Sequence, residues 1–142
     1  MPNENAINCD SIELKATRDN FNLFIGFIKS FLSKSGISSA DEGKVLLASE
    51  EIIVNIIDYA YPVGNGTILI NICSIENTIR IIFSDSGKPF NPLVATETDI
   101  NLPLKERGIG GYGILMVKKF MDSIHYEYKN GKNCLMIIKQ IH

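Results

Sequence analysis

Apolar and polar side chains alternate from Ser11 to Ala16, with Ile12, Leu14 and Ala16 on one side and Ser11, Glu13 and Lys15 on the other. That two-residue period predicts a half-buried first strand. From Asp19, a candidate N-cap, Phe21, Phe24, Ile25, Ile28, Phe31 and Leu32 recur at helical spacing until Gly36 breaks the pattern. A second, longer helix opens at Ser38 or Ser39, carries Asp41 and Glu42 in its first turn where negative charge suits the helix dipole, and ends at Tyr61-Pro62-Val63-Gly64. Isoleucine-rich runs over Thr67–Ile75 and Thr78–Phe83, separated by Glu76-Asn77, predict a hairpin. Residues 86–109 contain Gly87, Pro89, Pro92, Pro103 and Gly108 with little periodicity, and a loop of that length in a small domain points to function. Gly113–Met121 predicts a short third helix, and Ser123–Lys129 pairs with Asn133–Ile141 across Asn130-Gly131, a strong hairpin signal.

The resulting order predicts an α+β fold, a mostly antiparallel sheet with about three helices gathered on one face and the other face open to a partner. At 142 residues and 45% apolar content, the chain fits one domain spanning 1–142. A net charge of -2 supplies no basic field, so neither nucleic acid nor an anionic membrane surface is an expected partner. Cys9, Cys73 and Cys134 are odd in number and widely spaced, which predicts free thiols and a reducing, cytoplasmic setting. The first ten residues resemble no leader, and Glu50, Glu51, Asn55 and Asp58 interrupt the longest apolar stretch before it reaches spanning length.

Three segments carry candidate chemistry. On the second helix, Glu51, Asn55 and Asp58 fall within roughly 60° of one another, while Ile52, Ile53, Ile56, Ile57 and Ala60 lie opposite and are expected to pack on the sheet. A Glu-x-x-x-Asn pair is often only the wet side of an amphipathic helix. Its functional alternative makes Asn55 a neutral oxygen ligand for magnesium, an ion that fills its shell largely with phosphate oxygens and water. Glu51, one turn earlier, is then placed to orient or deprotonate an attacking hydroxyl.

Asp85, at the end of the Ile81-Ile82-Phe83 run and two residues before Gly87, is either part of a plain turn or an acceptor for an exocyclic amine such as that of adenine. In the second case Gly87 lets backbone approach the ring, while Pro89 and Phe90 stiffen the exit and supply an apolar wall. The cluster Gly108-Ile109-Gly110-Gly111-Tyr112-Gly113 precedes an apolar helix, so its amides can face an anion, although such a cluster is also a simple hinge. It matches neither the P-loop nor the dinucleotide fingerprint. Lys88, Lys105 and Arg107 lie along the loop as candidate phosphate partners. His125, in a strand, and His142, at the end, read as ordinary polar residues.

In this order the three segments resemble the N, G1 and G2 boxes of the GHKL ATPase superfamily, which includes gyrase, Hsp90, histidine kinases and MutL. Glu51-x-x-x-Asn55-x-x-x-Tyr59-Ala60-Tyr61, Asp85-Ser86-Gly87-Lys88-Pro89-Phe90, Ile109-Gly110-Gly111-Tyr112-Gly113-Ile114 and the Gly131-Lys132-Asn133-x-Leu135 hairpin are most similar to the anti-sigma-factor serine/threonine protein kinases. The resemblance implies a Bergerat two-layer α/β sandwich binding ATP and Mg2+. Glu51 would be the catalytic base, Asn55 the magnesium ligand and Asp85 the reader of adenine. Gly87, Pro89, Phe90, Arg107, Gly108, Gly110, Gly111, Tyr112 and Gly113 would contact nucleotide, with a lid over about 88–109. It further implies a homodimer, a bound sigma factor and an anti-sigma-factor antagonist phosphorylated on serine or threonine. The same motifs would also serve a nucleotide-responsive binding module that transfers no phosphate. Two departures stand out: family members often carry histidine where Tyr59 stands, and a small residue where Ile56 follows the magnesium asparagine.

Overall fold

The computed structural model describes residues 7–62, 65–93 and 111–141. Five strands, β1 (Ile7–Lys15), β2 (Thr67–Ile75), β3 (Thr78–Asp85), β4 (Ser123–Lys129) and β5 (Lys132–Gln140), form one sheet in the order β1-β2-β3-β5-β4. All four pairings are antiparallel. Among the described residues three helices accompany it: α1 (Phe21–Ser33), preceded by a 3-10 turn over Arg18–Asn20, then α2 (Ser39–Tyr59) and α3 (Gly111–Phe120).

The inward phase of each central strand is apolar: Ile68, Ile70 and Ile72 on β2, Ile79, Ile81 and Phe83 on β3, Leu135 and Ile137 on β5. These pack with Phe24, Ile28 and Leu32 of α1, Val45, Ala48, Ile52 and Ile53 of α2, and Val117 of α3 in one core. Every helix therefore lies on the same face, as a two-layer sandwich requires. Each fully buried isoleucine or phenylalanine contributes about 1.5–3 kcal/mol of transfer free energy, which makes this layer contact the main source of stability.

Local chemistry sets the ends. Ser38 caps α2, its hydroxyl accepting from the Asp41 amide at 3.2 Å, and Asp41 and Glu42 occupy the first turn. Asn130 and Gly131 both hold positive φ, +55° and +76°, the pair a tight hairpin needs. Asp19 does not cap α1, which begins at Phe21 after the 3-10 turn. β1 begins at Ile7, earlier than alternation suggested, because Ile7–Asp10 are all exposed and only the ladder to β2 defines them. β3 extends to Asp85, making the carboxylate the last residue of the strand, and α3 starts two residues before Gly113.

The cysteine expectation is overturned. Register places Cys9 directly opposite Cys73, and the two form a disulfide across β1 and β2 with a sequence separation of 64. Sequence spacing could not reveal this, because strand register alone brings the two residues together. Cys134 remains a free thiol. Closing a loop of that length is worth about 4 kcal/mol in the loop-entropy account, and the bond secures the exposed half of an edge strand.

Candidate functional site

A cavity of about 390 Å³ opens where the C-terminal half of α2 passes the end of β3, lined also by Lys88, Phe90 and Pro92 of the following segment and by Asn133 and Leu135 of β5. Asn55, Ile56 and Tyr59 of α2 form one wall, and Phe83, Asp85 and Asn133 of the sheet form another. Lys88, Phe90, Ile114 and Tyr126 complete much of the rest. The lining is mainly apolar with a few convergent polar groups, which suits a flat heteroaromatic ligand.

Asn55 gives the site its most telling atom. Its Oδ1 is buried and has no hydrogen-bond partner among the described residues. Such an acceptor is costly unless a ligand satisfies it, and an amide oxygen is a proper donor to a hard cation. No group of three or more His, Cys, Asp or Glu among the described residues could hold a metal alone. Asn55 therefore fits magnesium only as an ion that brings phosphate and water as its other ligands.

Glu51 and Asp58 part company with Asn55. Glu51 does not line the cavity; its carboxylate lies against Gly113, one residue before Ile114. A Cβ at Gly113 would stand 1.9 Å from Glu51 Oε1, so only glycine leaves this space. Burial lifts the Glu51 carboxyl above its usual range. Asp58 turns outward, both its oxygens accepting from Arg18 at 2.8 Å in an ion pair. Ile52 and Ile53 are buried and Ile56 and Ile57 pack against the core as expected, but Ile52, Ile56 and Ala60 also line the cavity and Ile57 a groove beside Arg18. The helix is wrapped on more than one side, so a two-faced reading of α2 is too simple.

The turn after β3 is clamped to the end of α2. Lys88 N–H donates to Ala60 O at 3.3 Å and Ser86 N–H to the Tyr61 hydroxyl at 2.7 Å, while that hydroxyl donates to Thr67 O at 2.7 Å. A Cβ at Gly87 would lie 2.3 Å from Ala60 O, so glycine is required here by the backbone of α2. The side chain of Asp85, only 6% exposed, accepts from Gly87 N–H at 2.9 Å and from Asn133 Nδ2 at 3.0 Å, both on Oδ1. Burial lifts its carboxyl above the ordinary range, with the Asn133 and Gly87 donors opposing that rise. Phe90 lines the cavity, whereas Pro89 is exposed and does not.

Arg107, Gly108, Gly110 and Lys105 lie outside the described residues, as do His142 and positions 94–109 of the lid expected over about 88–109. Gly111 and Tyr112 open α3. Tyr126 and Asn133, whose polar side chains also line the cavity, were not among the site residues that the sequence suggested. Their signal was phase: each occupies an inward position of its strand, in line with Ile124 or with Leu135 and Ile137, where an apolar residue is the default.

The comparisons agree with this geometry. The histidine kinase-like ATPase domain family matches residues 14–139. Serine/threonine-protein kinase BtrW of Bordetella bronchiseptica is 20% identical over 129 residues, covering 90% of this chain and 91% of its own length. Serine-protein kinase RsbW of Bacillus mycoides is 27% identical over 108 residues, covering 73% of this chain and 68% of its own. Among solved structures, that of the RsbU and RsbW domains of Rv1364c from Mycobacterium tuberculosis aligns with 94% of this chain at a TM-score of 0.68 and 15% identity. The present chain spans 32% of that one, and at such identity the likeness speaks for the fold. A five-stranded antiparallel sheet with its helices on one face, a family match over most of the sequence and relatives that are named protein kinases lead to one conclusion: the chain belongs to the histidine kinase-like ATPase domain family of the GHKL superfamily.

Proposed function

We propose that this protein is a cytoplasmic serine/threonine kinase of the anti-sigma-factor type, which binds Mg–ATP in the α2–β3–β5 cavity and phosphorylates an antagonist protein. The observation that carries the reading is the unpartnered, buried Asn55 Oδ1 in the same cavity as the buried Asp85 carboxylate. One suits a magnesium-bound phosphate, the other the exocyclic amine of adenine, and the apolar wall between them suits the ring. A sigma factor as second partner and a homodimeric state follow from the family resemblance and belong to the same proposal. No described helix is long and apolar enough to cross a membrane. In a reducing compartment the Cys9–Cys73 bond would be a reversible one.

Magnesium held by Asn55 would neutralise charge on the phosphates and help align them. Asp85 orients the nucleotide from its base end, and Lys88, which lines the cavity, supplies a cation. Glu51, its carboxyl raised by burial, accepts the proton of the incoming Ser or Thr hydroxyl. The oxygen of that hydroxyl forms the new P–O bond as the bond to the β-phosphate oxygen breaks, and ADP departs with the electron pair.

Gly113 serves this arrangement by leaving room for Glu51. Gly113→Ala is expected to displace the carboxylate and lower transfer by at least tenfold, since misplacing a catalytic group by about 1 Å can cost about 10²-fold. Helix stability should hold or rise, because alanine is favoured over glycine by about 1 kcal/mol in a helix. A melting curve beside a rate measurement separates the two effects.

A second reading, a nucleotide-responsive binding module without transfer, draws on Glu51 standing outside the cavity lining. The experiment that decides is incubation with γ-labelled ATP, magnesium and a candidate antagonist protein. Label on a Ser or Thr of the antagonist supports the kinase. Saturable ATP binding with no label supports the module.

A further inference from the structure

Asn133 stands directly opposite Asp85 in the β3–β5 register and is nearly buried, at 7% exposure. Its Nδ2 faces three oxygens: Asp85 Oδ1 at 3.0 Å, Lys88 O at 3.0 Å and Gly87 O at 3.4 Å. Its Oδ1 faces two donors, the Phe90 amide at 3.1 Å and the Tyr126 hydroxyl. The amide orientation is thereby fixed, since a flip would set its oxygen against three acceptors and its nitrogen against two donors. Among the described residues both hydrogen bonds to the Asp85 carboxylate fall on Oδ1, and Oδ2 is the oxygen they leave for a ligand.

We propose that Asn133 is a specificity-determining positioning residue, whose amide donor holds Asp85 as a pure acceptor and thereby makes the cavity prefer a 6-aminopurine nucleotide over a 6-oxopurine one. This rests on the nucleotide reading of the cavity and deepens it. A 6-amino group offers N–H to a carboxylate, while a 6-oxo group offers a second acceptor and is repelled. Once protonated, Asp85 can donate to the 6-oxo oxygen, so discrimination lasts only while the group is ionised. Burial works against ionisation and the Asn133 donor works for it. The other titratable groups around Asp85 are Tyr61 after α2, Tyr59 on α2, Tyr126 on β4 and Lys88 in its own turn. Burial raises the Tyr61 and Tyr126 hydroxyls, away from the acid range, so the acid-range transition is assigned to Asp85.

The test titrates Mg–ATP and Mg–GTP into the whole protein between pH 5 and 8, for wild type, N133L and N133D. Wild type should prefer ATP and lose that preference as the pH falls through the raised Asp85 transition. N133L removes the donor that opposes the burial effect, so the transition should move up and the ATP:GTP affinity ratio at a pH between the two transitions should fall about tenfold. N133D replaces the donor with a second carboxyl, which should move the transition further up than N133L does. Equal weakening of both nucleotides at every pH, or an unmoved transition in a folded variant, would overturn the proposal and leave Asn133 a purely structural clamp. Wild type binding neither nucleotide would instead remove the nucleotide reading beneath it.

Discussion

Glu51→Gln is expected to slow phosphoryl transfer by about 10²–10⁴-fold, the usual contribution of a positioned general base, while Mg–ATP affinity stays within about twofold of wild type. The split arises from where the residue stands: its carboxylate rests on Gly113 and does not line the cavity, so removing its charge should leave the nucleotide contacts in place. Burial raises its carboxyl, which brings the base nearer to neutrality, so wild-type transfer should decline on acidification at a pH above the ordinary glutamate range. Stability moves the other way. A carboxyl raised by folding contributes stability fully below its unfolded pKa and loses it as pH rises through the folded value. Near pH 7 the wild type therefore carries a desolvated charge that glutamine lacks, and the variant should melt at a higher temperature there, with the gain shrinking towards acid. Steady-state transfer and melting curves near pH 7 and at stepwise lower pH check this, and unchanged turnover would remove Glu51 from the mechanism.

Asp85→Asn is expected to weaken adenine nucleotide binding by about 10²-fold, because it removes a charged acceptor worth about 1.5–3 kcal/mol and sets an N–H donor facing the amine. The fold should survive. Gly87 N–H and Asn133 Nδ2 both donate to one oxygen, Oδ1, and the single oxygen of asparagine can take both. The amide nitrogen is then left at the position of Oδ2. Calorimetric titration with Mg–ATP, beside a circular dichroism spectrum, measures the effect, and undiminished affinity in a folded variant would reject the assigned role.

Much of the fold was legible because short-range patterning agreed with the tertiary solution. Thr67–Ile75 shows its inward isoleucines on every second residue, Ser38 with Asp41 and Glu42 is a local cap, and Asn130-Gly131 needs no distant help to turn. The first half of β1 was invisible because no core covers Ile7–Asp10, so its side chains carry no period. The Cys9–Cys73 bond joins residues separated by 64 positions and depends on register alone. That Asn55 and Asp85 would stand near one another was legible through motif and element, and both line one cavity. The departure of Asp58 to Arg18 and the network of Asn133 with Tyr126 were not, since each depends on a partner on another element. Gly87 was expected to make room for a ring, but the contact that demands glycine there is with Ala60, and Gly87 does not line the cavity.

The most direct measurement is a crystal structure of the protein with magnesium and a non-hydrolysable ATP analogue. The account predicts the adenine amine within hydrogen-bond distance of Asp85 and the metal bound through Asn55 Oδ1 and phosphate oxygens. An analogue bound elsewhere on the surface, or an Asn55 amide that touches neither metal nor phosphate, would contradict it.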